Sequence, residues 1–257
     1  MRKQTVAIDL GFGTAIHGTL ELYRNKDIKS RPTLEKAKSI FVRKLVREHM
    51  AIKSARKDGR DAGREYDLRE FVEAGKRILD CVDHVPEISS STVVWNEFKL
   101  EERIGRTDGL DVTFKGFVDI VVKVQPKRGK PLLFICDFKT CSWGWPREKR
   151  EDPAILAQLY LYKHFICKRF ALDPKHVRTA FVLLKKRPSR PDQAIEWAPV
   201  GSGPQPMREA IDALQADITR MSSGEYSHDR SKCVVRFGKT ESVCPYYRTE
   251  HCPTPES

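Results

Sequence analysis

The chain has 257 residues, 40% of them hydrophobic and 32% charged, which is long enough for one large domain with a buried core. The formal net charge is +12 at pH 7 and the sequence pI is about 9.4, so a polyanionic partner is favoured. There is no internal repeat and no transmembrane run, and the N-terminal MRKQTVAIDLGFG is too polar for a signal peptide. We therefore expect a cytoplasmic protein without a membrane partner.

The first apolar segment, VAIDLGFGTA, permits two interpretations. It is similar to the first phosphate-binding hairpin of the actin- and Hsp70-like ATPases, in which an Asp and glycines approach a nucleotide phosphate. The similarity ends after about ten residues, and the overlapping TAIHGTLELY has a helical pattern where that fold needs a returning strand. We therefore predict an early helix that carries His17 and keep the ATPase as an alternative.

Residues 24–60 carry most of the excess positive charge. These 37 residues hold 13 Lys or Arg and 4 Asp or Glu, so nine of the twelve net charges lie here. A helix is predicted after Pro32, and its apolar side is predicted to consist of Ile40, Phe41, Leu45 and Met50. We interpret this segment as a helical cover that contacts the nucleic-acid backbone, and a solvated basic helix is the alternative. The candidate substrate-binding residues are Arg43, Lys44 and Arg47.

A second amphipathic pattern, REYDLREFVEAGKRILDCVDHV, predicts another helix directly after the basic segment. Its apolar positions are Leu68, Phe71, Val72, Ile78 and Leu79. We expect a single domain over residues 1–257, with a basic helical insertion over about 24–85. A catalytic core over about 92–186 follows, and then a C-terminal helix with a cysteine-containing tail over 205–257.

Two apolar, β-branched runs, 118–124 and 132–138, are separated by QPKRGK, whose Pro, Gly and charges favour a turn. If these runs form an antiparallel hairpin centred on the Arg of that turn, Asp119 lies opposite Asp137 with side chains roughly 5 Å apart. Lys139 shares the face of Asp137, because side chains alternate along a strand. The sequence therefore predicts two carboxylates and one ammonium at one place.

The segment TVVWNEFKL is a further predicted strand, and the Asp-Gly pair at 108–109 favours a hairpin turn after it. A three-residue loop centred on that Asp would place Glu97 opposite Asp119, whereas a two-residue loop would shift the register by one. Glu101 and Glu102 compete with Glu97 for this acidic position. Three facing carboxylates repel one another unless some are protonated or a cation lies among them, and their oxygens suit Mg²⁺ or Mn²⁺.

The segment PAILAQLYLYKHFICKRF predicts a helix on which Gln158 and Tyr162 share one face, because they are four residues apart. Gln158 is polar among the core positions Ile155, Leu159, Tyr162 and Ile166. A buried glutamine needs hydrogen-bond partners, and a site that faces phosphate would provide them. The strand HVRTAFVLLKK and the helix PMREAIDALQADITRM are predicted to follow.

In order and spacing, GFVDIVV, LLFICDFKT and QLYLY resemble the PD-(D/E)XK nuclease superfamily. They resemble especially its RecB-like branch, which adds a Gln-x-x-x-Tyr helix after the catalytic lysine. The resemblance covers about residues 11–23 and 93–186. It implies a restriction-endonuclease-like α/β fold with an αβββαβ core and a mixed central sheet flanked by helices.

The same resemblance implies the roles of the site residues. Lys139 corresponds to the catalytic lysine, and Glu97, Asp119 and Asp137 complete the catalytic set. The implied metal-binding residues are His17, Glu97, Asp119, Asp137 and Phe138. Gln158 and Tyr162 are implied to help hold the substrate.

The implied activity is that of a Mg²⁺- or Mn²⁺-dependent deoxyribonuclease that acts in replication, recombination or repair. An exonuclease is favoured over an endonuclease, since the branch resemblance and a helical cover able to enclose a DNA strand end point that way. A phage enzyme with a recombination or single-strand-binding partner protein is a further expectation. The competing interpretation is a non-catalytic nucleic-acid binder on a decayed nuclease fold, which the joint presence of Asp119, Asp137 and Lys139 disfavours.

Seven cysteines without an export signal favour reduced thiols. Three of them fall late in the chain: Cys233, Cys244 and Cys252. Some members of the resembled branch bind a [4Fe-4S] cluster through one early cysteine and three late ones that include a C-x-x-C pair. Here Glu241 stands where the first cysteine of that pair would be. Ordinary reduced cysteines are therefore preferred, and an iron–sulfur cluster or a zinc site is the alternative.

Overall fold

The computed structural model describes residues 8–57, 65–107, 110–223, 234–237 and 240–243. A five-stranded sheet forms its centre. Its strands are β1 (Thr92–Thr107), β2 (Leu110–Val124), β3 (Leu132–Cys141), β4 (Val177–Lys185) and β5 (Ile195–Val200). They lie in the order β1-β2-β3-β4-β5, with β3 and β4 parallel and the other neighbours antiparallel. Two short strands, β6 (Val234–Phe237) and β7 (Thr240–Val243), form a separate antiparallel pair.

Helices cover both faces of the five-stranded sheet. The α-helices are α1 (Ile8–Tyr23), α2 (Leu34–Lys57), α3 (Leu68–Cys81), α4 (Pro86–Ser89), α5 (Arg147–Arg150), α6 (Pro153–Arg169) and α7 (Pro204–Ser223). Short 3₁₀ helices lie at Ile28–Ser30, Val82–His84, Pro174–His176 and Pro191–Gln193. Within the described ranges, no helix has the length and apolar character needed to cross a membrane.

Two apolar clusters separate the helices into layers. On one face, α1, α2 and α3 pack against β-strand residues that include Ile120, Val122 and Phe138. On the other face, α6 and α7 pack against residues that include Val121 and Ile135. The alternation of these neighbouring strand residues between the two clusters is the expected result of a strand that is buried on both sides.

Helix α6 connects the parallel strands β3 and β4, as a crossover connection requires. It begins with Asp152 as N-cap, whose side chain accepts a hydrogen bond of 2.9 Å from the Ala154 backbone N–H, and Pro153 follows at the first helical position. The order α1, β1, β2, β3, α6, β4 confirms the predicted αβββαβ core. Strand β5, which pairs with β4, was not predicted from IEWAPV.

Both helices that were predicted between α1 and the first strand are present, as α2 and α3. Phe41, Leu45 and Ile52 are fully buried on α2. The prediction that Met50 belongs to the apolar side is wrong, since its side chain is 61% exposed. Met50 is nine residues after Phe41, which is about two and a half helical turns, so the two side chains lie on opposite sides of the helix.

The start of α1 rules out the ATPase alternative. The helix begins at Ile8, so the glycines of VAIDLGFGTA lie in a helix and not in a hairpin. Gly11, and Gly18 farther along α1, allow a close approach of α2. A Cβ at Gly11 would lie 2.8 Å from the Glu48 Cβ, and one at Gly18 would lie 2.5 Å from the Lys44 Nζ.

The sequence left two registers open for the first hairpin, one for each loop length, and the structure combines features of both. Two residues, not three, separate β1 from β2, and Thr107 pairs with Leu110. A β-bulge between Arg103 and Gly105 then shifts the register by one. As a result, the pairs on either side of Glu97 align it with Asp119 after all. The pairing of β2 with β3, from Val124 with Leu132 to Ile120 with Cys136, confirms the predicted register.

Candidate active site

Asp119 and Asp137 lie where the pairing between β2 and β3 ends. The last backbone pair of that ladder is Ile120 with Cys136. One residue further, the Phe138 backbone N–H donates a 2.6 Å hydrogen bond to the Asp119 Oδ2. The carboxylate of one strand thus replaces the carbonyl that a continued ladder would supply, which fixes Asp119 at the edge of a local opening in the sheet.

Lys139, Asp137 and Gln158 form a closed set of polar contacts. The Lys139 Nζ lies 2.7 Å from the Asp137 Oδ2 and donates a 2.9 Å hydrogen bond to the Gln158 Oε1. The Gln158 Nε2 donates a 2.9 Å hydrogen bond to the Asp137 Oδ1. Because each member contacts the other two, the ammonium and the carboxylate are held in a fixed relation, as a preorganised site requires.

Tyr162 extends this set toward β2. Its hydroxyl accepts a 3.1 Å hydrogen bond from the Gln158 Nε2 and donates one of 2.9 Å to the Phe117 carbonyl. The ring approaches β2 closely because Gly116 lies beneath it, where a Cβ would be 2.5 Å from a ring carbon of Tyr162. Sequence reasoning missed Gly116, although a glycine inside a strand is a known signal of close approach. Gln158 therefore positions Asp137 and Lys139 through direct contacts, and Tyr162 holds Gln158 in place.

Both aspartates are held in surroundings that disfavour their charged forms. Burial raises the pKa of Asp119 to about 7, the charges of Asp137 and Glu97 add to this effect, and the Phe138 hydrogen bond opposes it. Burial also raises the pKa of Asp137, against the lowering effect of Lys139. Carboxyl groups with one ammonium between them leave an excess of negative charge that a bound cation would relieve.

His17 approaches the aspartates from α1. Its Nδ1 lies 3.8 Å from the Asp119 Oδ2. Burial, together with the charge of Lys139, lowers the pKa of His17 to about 4, so the ring is neutral at pH 7 and the contact is polar rather than ionic. The His17 Nε2 is buried and has no hydrogen-bond partner within the described residues. A neutral imidazole with an unused nitrogen is suited to bind a metal ion.

Glu97 has an unusual backbone conformation opposite Asp119. Its φ angle is 43°, in the left-handed region that costs a residue with a Cβ about 1–3 kcal/mol. Its pKa is raised, first by burial and then by the charge of Glu21, one helical turn beyond His17 on α1. Sequence reasoning missed Glu21, although its spacing of four from His17 places both on one helix face.

The two competing glutamates have partners farther along β1. Glu101 forms an ion pair with Lys99, and Glu102 lies 3.4 Å from the Arg169 guanidinium. Glu101 and Glu102 lie opposite β2 residues that are nearer the hairpin turn than Asp119 is. Glu97 is therefore the glutamate of β1 that lies beside the aspartates.

The residues fit a divalent cation by their chemistry. Within the described part of the chain, no three His, Cys, Asp or Glu side chains already converge into a metal-binding group, and Lys139 engages the Asp137 carboxylate. Asp119 and Asp137 nonetheless offer carboxylate oxygens, and His17 offers an unpartnered ring nitrogen. Burial raises the pKa of both carboxyl groups, and a bound cation would favour their ionised forms. Phe138 has a buried side chain, so its contribution is limited to a backbone atom.

Of the three basic residues predicted on α2, Lys44 contacts α1, the helix that carries His17. Its Nζ donates a 3.0 Å hydrogen bond to the carbonyl of Gly18, the residue after His17. Arg43 and Arg47 are exposed. The cysteines proposed as a second metal or cluster site lie outside the described residues, namely Cys233, Cys244 and Cys252.

A mixed sheet with a helix-bounded acidic pair and a lysine at its centre defines the class of nucleases with a restriction-endonuclease-like fold. The family model described as the PD-(D/E)XK nuclease superfamily matches residues 2–253. The chain therefore belongs to the PD-(D/E)XK nuclease superfamily. No curated protein matches the chain significantly.

Proposed function

We propose that this chain is a metal-dependent DNA nuclease that hydrolyses phosphodiester bonds at Asp119, Asp137 and Lys139. The observation that carries the proposal is the closed contact set of Asp137, Lys139 and Gln158 beside Asp119, in which the pKa of both carboxyl groups is raised. Membership of a nuclease superfamily supports the reaction type. The choice of DNA is supported by the net charge of +12.

Each residue has a role in the proposed reaction. Asp119 and Asp137, with Glu97 and His17, would hold Mg²⁺ or Mn²⁺. The ion would supply charge to polarise the scissile phosphate and would lower the pKa of water there. Lys139 donates hydrogen bonds to the attacking water or to the phosphate oxygens as negative charge develops on them. Gln158 holds the Lys139 ammonium in place through its Oε1.

Exonuclease activity in replication, recombination or repair is the finer part of the proposal. Helices α1, α2 and α3 form a layer on the side of the sheet from which His17 enters the site. Such a layer limits access to the phosphate more than an open groove would, which favours a strand end over the middle of a long strand. The RecB-like Gln-x-x-x-Tyr pair, Gln158 and Tyr162, supports the same assignment. A phage origin and a recombination or single-strand-binding partner remain predictions.

The test is a time course on linear DNA labelled at the 5′ or 3′ end, beside covalently closed circular DNA, with Mg²⁺, Mn²⁺ or excess EDTA. An exonuclease degrades the linear DNA and spares the circle, and an endonuclease cuts both. Cleavage that continues in excess EDTA contradicts the metal-dependent mechanism. DNA binding without any cleavage would identify a non-catalytic binder instead.

The matched variants are Lys139→Ala and Lys123→Ala. Both remove an ammonium from neighbouring strands, but Lys123 is exposed and lies away from the aspartates on β2. We expect loss of cleavage by at least about 100-fold for Lys139→Ala, in line with the loss of one preorganised donor, and no change for Lys123→Ala. Both variants should fold as the wild type does, which circular dichroism and thermal unfolding would establish.

A further inference from the structure

The outer half of the β1–β2 hairpin has one covered and one open face. On the covered face, Phe114 stacks on Phe165 of α6 with ring centroids 4.7 Å apart, and Leu100 is fully buried. Along β2 from Asp111 to Val118, partly or fully buried residues alternate with exposed ones. The open face therefore consists of the alternate side chains, which α6 and α7 do not contact.

The open face leads directly to Asp119. Val118 packs in the cluster under α6, so its neighbour Phe117 projects from the opposite face of the strand. Asp119 contacts His17 of α1 on that side. Ile120, only two residues beyond Val118, packs instead in the cluster under α1. The facing of β2 thus changes at Asp119, and the strand passes there from an open surface into the helix-covered core.

Phe117 is the large apolar side chain on this open face. Its side chain is 50% exposed although it lies within a strand. Its Cα lies two residues from that of Asp119, roughly 7 Å away, a distance similar to the spacing of neighbouring nucleotides in an extended single strand. The Phe117 carbonyl is used by Tyr162, so the backbone is fixed while the ring remains free of stacking partners among the described aromatic contacts.

Two lysines flank the ring. Lys99 is the direct cross-strand partner of Phe117, and Lys115 lies two residues before it on the same face. Glu101, opposite Lys115, forms an ion pair with Lys99, and both lysines lower its pKa. Lys99, Lys115 and Glu101 together therefore carry a net charge of one positive unit. An exposed aromatic ring with adjacent ammonium groups is the arrangement by which proteins bind unpaired nucleotides.

We propose that Phe117 stacks on an unpaired base next to the scissile phosphate, with Lys99 and Lys115 contacting the neighbouring phosphates. This inference rests on the proposed nuclease function and specifies a single-stranded substrate. A base inside a duplex is already stacked on both sides and cannot present its face to the ring. The strand that is cut is therefore single-stranded where it crosses the hairpin.

The test compares Phe117→Leu, which removes the ring, with Phe117→Tyr, which keeps it. Both are made in the full chain with Lys139→Ala, so that binding is measured without cleavage, in Mg²⁺. The probes are a fluorescent single-stranded oligonucleotide, a blunt duplex of the same sequence, and single strands with one abasic site at successive positions. We expect Phe117→Leu to weaken single-strand binding by about 5- to 100-fold, with duplex binding unchanged and Phe117→Tyr close to the parent.

The abasic series assigns the effect to stacking. The parent should lose affinity when the abasic site falls at one particular position, and Phe117→Leu should be insensitive to that position. Equal loss of single-strand and duplex binding, or an unchanged abasic profile in Phe117→Leu, would overturn the inference. Failure of the wild type to cleave any DNA would instead overturn the proposed function, and the binding measurements do not depend on cleavage.

Discussion

The substitution Asp119→Asn should stabilise the protein while it abolishes activity. The Asp119 carboxyl has an ordinary pKa of 3.8, and burial raises this pKa to about 7 in the folded protein. At 1.36 kcal/mol for each pKa unit, the difference amounts to about 4 kcal/mol of unfavourable free energy once the group is ionised. An asparagine carries no charge and still offers an oxygen to the Phe138 N–H, so most of that cost is removed.

The effect has a defined pH dependence. Below about pH 4 the carboxyl is protonated in both the folded and the unfolded protein, so Asp119→Asn should change stability little. Between pH 4 and 7 the folded protein retains a proton that the unfolded chain has released, and the stability of the wild type falls relative to the variant as pH rises. Above pH 7 the difference should be complete and constant, at about 2–4 kcal/mol, or roughly 5–15 °C in melting temperature.

The assay is urea and thermal unfolding in EDTA at several pH values from 4 to 8.5. The matched control is Asp111→Asn, the same change at an exposed position of β2 whose carboxylate lies 2.8 Å from the Arg103 guanidinium. It should alter stability by less than about 1 kcal/mol at every pH. A variant that is less stable than the wild type at pH 8, or a difference that does not depend on pH, would refute the electrostatic reasoning.

Three further outcomes follow from the packing and the charges. Gly75→Ala should destabilise the protein by at least about 1–3 kcal/mol in urea unfolding, because its Cβ would lie 2.0 Å from an aromatic ring of α2; Gly105→Ala, with no atom within 4 Å, is the control. Gly116→Ala should strongly lower the cleavage rate and change the free energy of unfolding less. The added Cβ would displace the Tyr162 ring, whose hydroxyl accepts a hydrogen bond from Gln158. Replacing Arg43 and Arg47 together by Glu should weaken DNA binding and flatten its salt dependence in titrations at several salt concentrations.

The centre of the site was predictable because the β2–β3 hairpin is defined by its own sequence. Two apolar runs with one turn between them admit few registers, and the register determines which residues share a face. The contact between Phe138 and Asp119 and the ion pair between Asp137 and Lys139 both follow from it. Gln158 was recognised for the same kind of reason, as the one polar residue on an otherwise apolar face of α6.

What could not be predicted depends on local irregularity. The bulge near Arg103 shifts the β1–β2 register, and the positive φ of Glu97 departs from ordinary strand geometry. The bulge has only a weak sequence signal, Gly105 inside the strand, and nothing in the sequence marks Glu97 for a positive φ. The change of facing at Asp119 likewise falls inside an apolar run, and the sequence does not show that Phe117, two residues before it, is half exposed.

The ion pair between Lys139 and Asp137 limits how the site can hold a cation. A lysine whose only partner was that carboxylate would lose its position whenever the carboxylate turned to a metal ion. Lys139 has a second partner, the Gln158 Oε1 at 2.9 Å, and Gln158 is itself held by the Tyr162 hydroxyl. In the proposed reaction the ammonium could therefore keep its position while Asp137 exchanges one positively charged partner for another, which would give Gln158 and Tyr162 a physical role in that reaction.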